Sequence, residues 1–110
     1  ECEVRHAYRY MSASVDLVLN FDTSVDLVSS VRTQKKHRGL GMARTVLSEV
    51  CTCADEERRT LILALEPDID TSEKRLRQFY EKFRFRAMSE AESERFGMPP
   101  EWGMIREPRR

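Results

Sequence analysis

Arg38-Gly39-Leu40-Gly41-Met42-Ala43 places two glycines directly before an apolar pattern at helical spacing. A helix N-terminus has unpaired N–H groups and a partial positive charge. Glycines ahead of it let an anion approach the main chain without side-chain obstruction. Lys35, Lys36 and Arg38 add local positive charge, and His37 can add more. These residue types in this order propose a phosphate cradle.

Two common cradles are excluded. A P-loop needs G-x-x-x-x-G-K-[ST], which is absent. A dinucleotide fingerprint needs G-x-G-x-x-G, and Arg44 occupies its last position. What remains is R-G-x-G-x-A, set between a strand and an amphipathic helix.

The elements that would position this turn follow from periodicity. Residues 1 to 13 fit a helical stripe (Val4, Ala7, Tyr8, Met11) or a strand face (Val4, His6, Tyr8, Tyr10), and the strand is favoured. Val15, Leu17 and Leu19 alternate with polar residues, as do Val25, Leu27 and Val31 further on. Turn-forming residues from Asn20 to Ser24 separate the two runs, so they read as a β-hairpin. The pentapeptide SVDLV begins at both Ser14 and Ser24, as two similar hairpin strands would allow. Ala43, Val46, Leu47, Val50 and Ala54 form one stripe of a helix. Leu61 to Leu65 is a continuous apolar run, which suits a strand covered on both faces. Asp70, Thr71 or Ser72 can cap a second helix, with Leu76, Phe79, Tyr80 and Phe83 on its apolar face. Phe85 to Met88 reads as a strand, Ser89 to Pro100 as a loop able to hold a helical turn, and Trp102 to Ile105 as a last strand. A strand, a crossover helix and a further strand predict a parallel pair after an antiparallel hairpin, hence a mixed sheet with helices packed on it.

Totals bound the alternatives. A chain of 110 residues is read as one domain. It begins with Glu1 rather than Met, as a processed or excised piece would. Nineteen basic residues balance nineteen acidic ones, so an anion site must be local and net charge argues against nucleic acid. No apolar run approaches the ~20 residues of a membrane span. Three cysteines, two of them in the C-x-C pair Cys51 and Cys53, read as reduced thiols of a cytosolic protein. Two distant histidines and that pair do not make a zinc site, so no metal is expected.

The chain resembles the GNAT superfamily of acyl-CoA-dependent N-acyltransferases, whose pyrophosphate signature is [Q/R]-x-x-G-x-[G/A]. Arg38, Gly41 and Ala43 fill it. Family members also commonly carry a segment like F-Y-E-K-x-G-F on the following helix, and here Phe79 to Phe85 reads FYEKFRF. The likeness covers about Val25 to Met88. It implies an α/β (α+β) fold, a mixed and mostly antiparallel sheet flanked by helices. It also implies acetyl-CoA as cosubstrate and a primary amine of a small molecule, peptide or protein as acceptor.

The resemblance further implies roles. Val31, Arg32 and Thr33 would pair their backbone with the pantetheine arm. The N–H groups of Arg38, Gly39, Leu40, Gly41, Met42 and Ala43 would hold the pyrophosphate. Tyr80 would protonate the departing thiolate, and a phenol of pKa about 10 beside a thiol of about 8.5 makes that donation feasible. An ammonium of pKa about 10.4 must lose a proton first. Glu66, Asp26 and Asp16 are the candidate bases.

Three departures stand out. Arg84 replaces the glycine expected after the second helix, at a position that often adopts a left-handed conformation. A proline common two residues after the pantetheine strand is replaced by Lys35. Only about thirteen residues precede the hairpin, where the family has a strand and two helices. The acceptor site is then open, or a partner chain completes it, and bare edge strands favour a homodimer. Two rival readings remain: a non-catalytic CoA-binding or protein-interaction module on the same fold, and a small RNA-binding domain using Lys35 and Lys36.

Overall fold

The repeated pentapeptide folds back on itself. A computed structural model describes residues 4–10, 13–22, 24–33, 42–66 and 72–108. Strand β2 (Ala13–Asp22) pairs antiparallel with β3 (Val25–Thr33), setting Leu17 of one copy against Val28 of the other. Asp22 pairs Val25, so the connection is two residues, and Ser24 takes a left-handed φ of 59°. Such short hairpin turns require positive φ. Strand β1 (Val4–Tyr10) pairs antiparallel with β2, which supports the strand reading of the first residues.

The simple alternation expected for β3 does not hold. Asp16 pairs Ser30 but Leu17 pairs Val28, leaving Ser29 as an extra residue. This β-bulge shifts the inward positions, so Val25 and Val28 are buried while Leu27 and Val31 are half-buried. The Ser29 hydroxyl donates to the Asp16 carbonyl at 3.1 Å.

Helix α1 (Met42–Glu56) follows the predicted stripe, burying Val46, Leu47, Val50, Cys51 and Ala54 and packing on β1, β2 and β3. It ends on Arg58 at φ 56°, where Arg59 N–H reaches the Ala54 carbonyl (2.7 Å) and Arg58 N–H the Asp55 carbonyl (3.2 Å). That is a Schellman closure, built on a residue that is not glycine. Arg59 then grips buried Asp26 with two hydrogen bonds, 3.2 and 2.6 Å. Thr60 N–H donates to the Ser24 carbonyl at 2.9 Å, so β4 (Thr60–Ala64) starts beside the start of β3 and runs with it, as the crossover rule expects. Leu61, Ile62 and Leu63 are all buried, as a strand covered on both faces requires.

The second helix, α2 (Glu73–Glu81), is capped by Ser72, whose side chain accepts from Arg75 N–H at 3.2 Å. Asp70 and Thr71, the other proposed caps, lie outside the described residues. Strand β5 is only Arg86–Ala87, shorter than expected, and pairs antiparallel with β6 (Gly103–Arg106).

The stretch read as a loop contains a helix, α3 (Glu90–Phe96). Only Ser93 and Phe96 are buried on it, too few to show an apolar period. Its ends make it: Ser89 and Glu92 form a reciprocal capping box, and Gly97 closes it at φ 69°. Strand order in the six-stranded, mostly antiparallel sheet is β1-β2-β3-β4-β6-β5. By contacts the chain forms two compact units, Glu1–Leu61 with Pro108–Arg110, and Ile62–Glu107.

Three outcomes follow. Arg86 and the Ser89 N–H hold the Glu92 carboxyl at about 2, below its ordinary 4.5. The folded state therefore binds that proton less readily than the unfolded chain. The resulting stability is present above the ordinary value and is lost as pH falls toward 2. Glu92→Gln should lower the urea midpoint at neutral pH and leave it unchanged near pH ~2. Asp26→Ala, which leaves the partly buried Arg59 unpaired, should cost about 2–3 kcal/mol in denaturant unfolding, less than a fully buried pair because Arg59 keeps some solvent. Arg58→Gly removes a left-handed side chain and should add about 0.5–1 kcal/mol in the same assay.

Candidate functional site

One group of candidate residues lies in the unit containing β3 and α1. Val31, Arg32 and Thr33 close β3, paired on one edge with Val15, Ser14 and Ala13 of β2. Along its other edge β3 has a shorter neighbour. β3 has nine residues and β4 five, and the two start together at the Ser24–Thr60 bond. β4 is therefore four residues shorter than β3.

Met42 and Ala43 are the first two residues of α1. Arg38, Gly39, Leu40 and Gly41 lie outside the described residues. The first turn of α1 has no acidic residue, whereas α2 has Glu73 there and α3 has Glu90 and Glu92. Helices ordinarily place a carboxylate at that end to meet the dipole. Arg44 in that turn is exposed.

Tyr80 occupies the other unit, near the end of α2. Its ring is buried, edge-on to Phe79 at 5.2 Å and to Phe85 at 5.5 Å. The helix closes just beyond it through a second Schellman turn. Phe85 N–H reaches the Tyr80 carbonyl (3.3 Å), Arg84 N–H reaches Glu81 (3.0 Å), and Arg84 sits at φ 72°. The glycine expected there is absent, yet the left-handed geometry is kept. The Tyr80–Phe85 ring contact is the apolar contact that usually accompanies this closure.

Burial, then the nearby charge of Glu66, pushes the Tyr80 phenol up to about 12. Its hydroxyl has no hydrogen-bond partner among the described residues. The phenol therefore stays protonated throughout the neutral range and can act only as a donor there. Glu66 itself is exposed, two residues after β4. The structure thus brings Glu66 within electrostatic reach of Tyr80. Of the other carboxylates weighed as bases, Asp26 is occupied by Arg59 and Asp16 is half-buried with partners of its own.

Sequence reasoning did not single out Arg106, which is buried and donates from Nε to the Phe83 carbonyl at 2.7 Å. It directly follows the run Gly103 to Ile105, where a cation at the head of the charged tail raises no signal. Among the described residues, no group of three His, Cys, Asp or Glu could hold a metal ion, and no helix is long and apolar enough to cross a membrane.

No protein-family model matches the sequence, and neither does any curated protein. Solved structures do. The anti-CRISPR protein AcrVA5 superposes with a TM-score of 0.70 at 15% identity, over 92% of this chain and 96% of that one. A GNAT-family acetyltransferase from Staphylococcus aureus Mu50 gives 0.65 at 17% identity, over 89% of this chain and 60% of its own. Nourseothricin acetyltransferase gives 0.63 at 14%, over 89% and 58%. The chain thus spans about three fifths of the length of the two acetyltransferases. The strand order, the crossover through α1 and these superpositions agree: the chain has the fold of the GNAT acetyltransferases.

Proposed function

We propose that this chain is an N-acetyltransferase of the GNAT type, moving an acetyl group from acetyl-CoA to a primary amine of a small molecule, peptide or protein. The observation that carries the reading is Tyr80: a phenol with a buried ring, an unclaimed hydroxyl and a neighbouring carboxylate in Glu66. The extended end of β3 at Val31–Thr33 and the acid-free first turn of α1 fit a cosubstrate with amides along its arm and a pyrophosphate at its end. Arg38 to Ala43 would supply the N–H groups for that pyrophosphate.

Acetyl-CoA would bring a thioester carbonyl that an amine can attack directly. The chain's own work is to hold that carbonyl, take one proton from the amine and return one to the sulfur. Glu66, directly or through water, would take the amine's proton. Tyr80 would meet the sulfur as the C–S bond breaks. Against a free thiol of about 8.5, a phenol at 12 gives up its proton uphill by roughly 5 kcal/mol. Its main contribution is therefore a hydrogen bond to the developing thiolate. Transfer completes because a thiolate in the same dry surroundings is also a stronger base than in water. No covalent enzyme intermediate is needed, so Cys51 and Cys53 have no chemical part.

A second reading follows from the buried ring of Tyr80, which a core tyrosine with no chemical role would equally show. On that reading the chain is a protein-interaction module of the same fold, without turnover.

Thiol release from acetyl-CoA with a panel of amines separates the two. The parent should turn over, and Tyr80→Phe should lower kcat by about 100-fold, the usual scale for a positioned acid. Calorimetry should show CoA binding unchanged in that variant. The rate should climb with pH as the amine loses its proton near ~10.4, with no fall from Tyr80 before about 12. Coenzyme binding without thiol release, indifferent to Tyr80→Phe, would establish the second reading instead.

A further inference from the structure

The geometry points to Arg106 as a positioning residue for Tyr80: its buried guanidinium pins the strained turn that ends α2 and so sets where the phenol sits. This rests on the reading of Tyr80 as the acid.

An arginine at 4% exposure is unusual, since charged side chains are rarely buried without a specific partner. Arg106 spends its Nε on the carbonyl of Phe83, at 2.7 Å and 23 residues away in sequence. Carbonyls at a helix C-terminus lack intrahelical partners, and a cation there also meets the negative end of the dipole. Phe83 immediately precedes Arg84, the left-handed residue. A non-glycine residue keeps that conformation only where its surroundings over-determine it. The surroundings here are reciprocal. Arg106 of β6 bonds to residue 83, and Arg84 Nη donates to the carbonyl of residue 107 at 3.3 Å. Two arginines thus tie the exit of α2 to the exit of β6, one bonding the residue before the strained position and the other being the strained residue itself.

The tie reaches Tyr80 through the main chain. Its carbonyl accepts from both Phe83 N–H (2.9 Å) and Phe85 N–H (3.3 Å). Its ring rests on Phe85, and Phe85 enters β5, whose Arg86 pairs with Ile105, the residue before Arg106. If Phe83 moves, both the carbonyl bonds and the ring contact of Tyr80 move with it. The family-like glycine is missing at Arg84, and Arg106 holds the turn that glycine would have eased.

The test uses the full chain with Arg106→Met, Arg106→Lys and each in an Arg84→Gly background, every variant checked for folding by circular dichroism. Two readouts are needed. In protein labelled with [13Cζ]-tyrosine, the Tyr80 signal, assigned by its loss in Tyr80→Phe, should shift in Arg106→Met. In thiol-release kinetics, kcat per folded molecule should fall about tenfold or more while KM for acetyl-CoA stays within about twofold, as misplacing a reacting group does. Arg106→Lys, which keeps the charge but loses the fixed Nε, should fall between the two. Arg84→Gly, which relieves the strain and gives up only the longer 3.3 Å tie to residue 107, should restore part of the lost kcat. An unmoved Tyr80 signal, or an unchanged kcat in folded Arg106→Met, overturns the proposal. Should Arg106→Met fail to fold, Arg106→Lys with Arg84→Gly is judged by the same two readouts. A parent chain that releases no thiol with any amine overturns the acetyltransferase reading instead, and the resonance then decides alone whether Arg106 holds Tyr80.

Discussion

Between Tyr80 and Phe85 the chain must leave a helix, reverse and enter a strand, and it does so through Arg84 at φ 72°. Everything argued about the phenol depends on that turn. The closure brings Phe85 back under the Tyr80 ring, and the ring's burial there is the larger cause of the raised phenol pKa. A different helix ending would move the ring, its hydroxyl and its distance from Glu66 together. A left-handed side chain costs roughly 1–2 kcal/mol. Among the described residues the chain bears that cost three times, at Ser24, Arg58 and Arg84, and avoids it at Gly97.

The unit with β3 solves a different problem, which is returning a chain to the strand it left. The crossover through α1 delivers Thr60 to Ser24, and the Asp26–Arg59 pair secures the landing just before it. β4 starts level with β3 and is four residues shorter, so the two strands share their starting end and differ in length.

Local features were legible in the sequence and distant ones were not. The α1 stripe and the Leu61 to Leu65 run declare themselves within a few residues, and the cap of α2 narrows to Asp70, Thr71 or Ser72, of which the structure uses Ser72. The hairpin was legible from the repeated SVDLV, but the bulge at Ser29 was not, because one extra residue leaves no compositional mark. Helix α3 escaped because two buried residues make no period, although Ser89, Glu92 and Gly97 together spelled out both its ends. Tyr80 was found through a motif, and its neighbourhood with Glu66 through the structure. Arg106 could not be found at all, since its partner lies 23 residues away and nothing local distinguishes it from an ordinary surface cation.

In chain order β6 follows both strands it separates, since it lies between β4 and β5. It can slot in only after α2, β5 and α3 have been synthesised, and it carries Arg106. A nascent chain therefore owns its tyrosine for some time before it owns the means of aiming it. Assembly of this unit ends with the strand that locks the helix exit, so late truncation would spare the aromatic cluster while leaving the phenol without a fixed address.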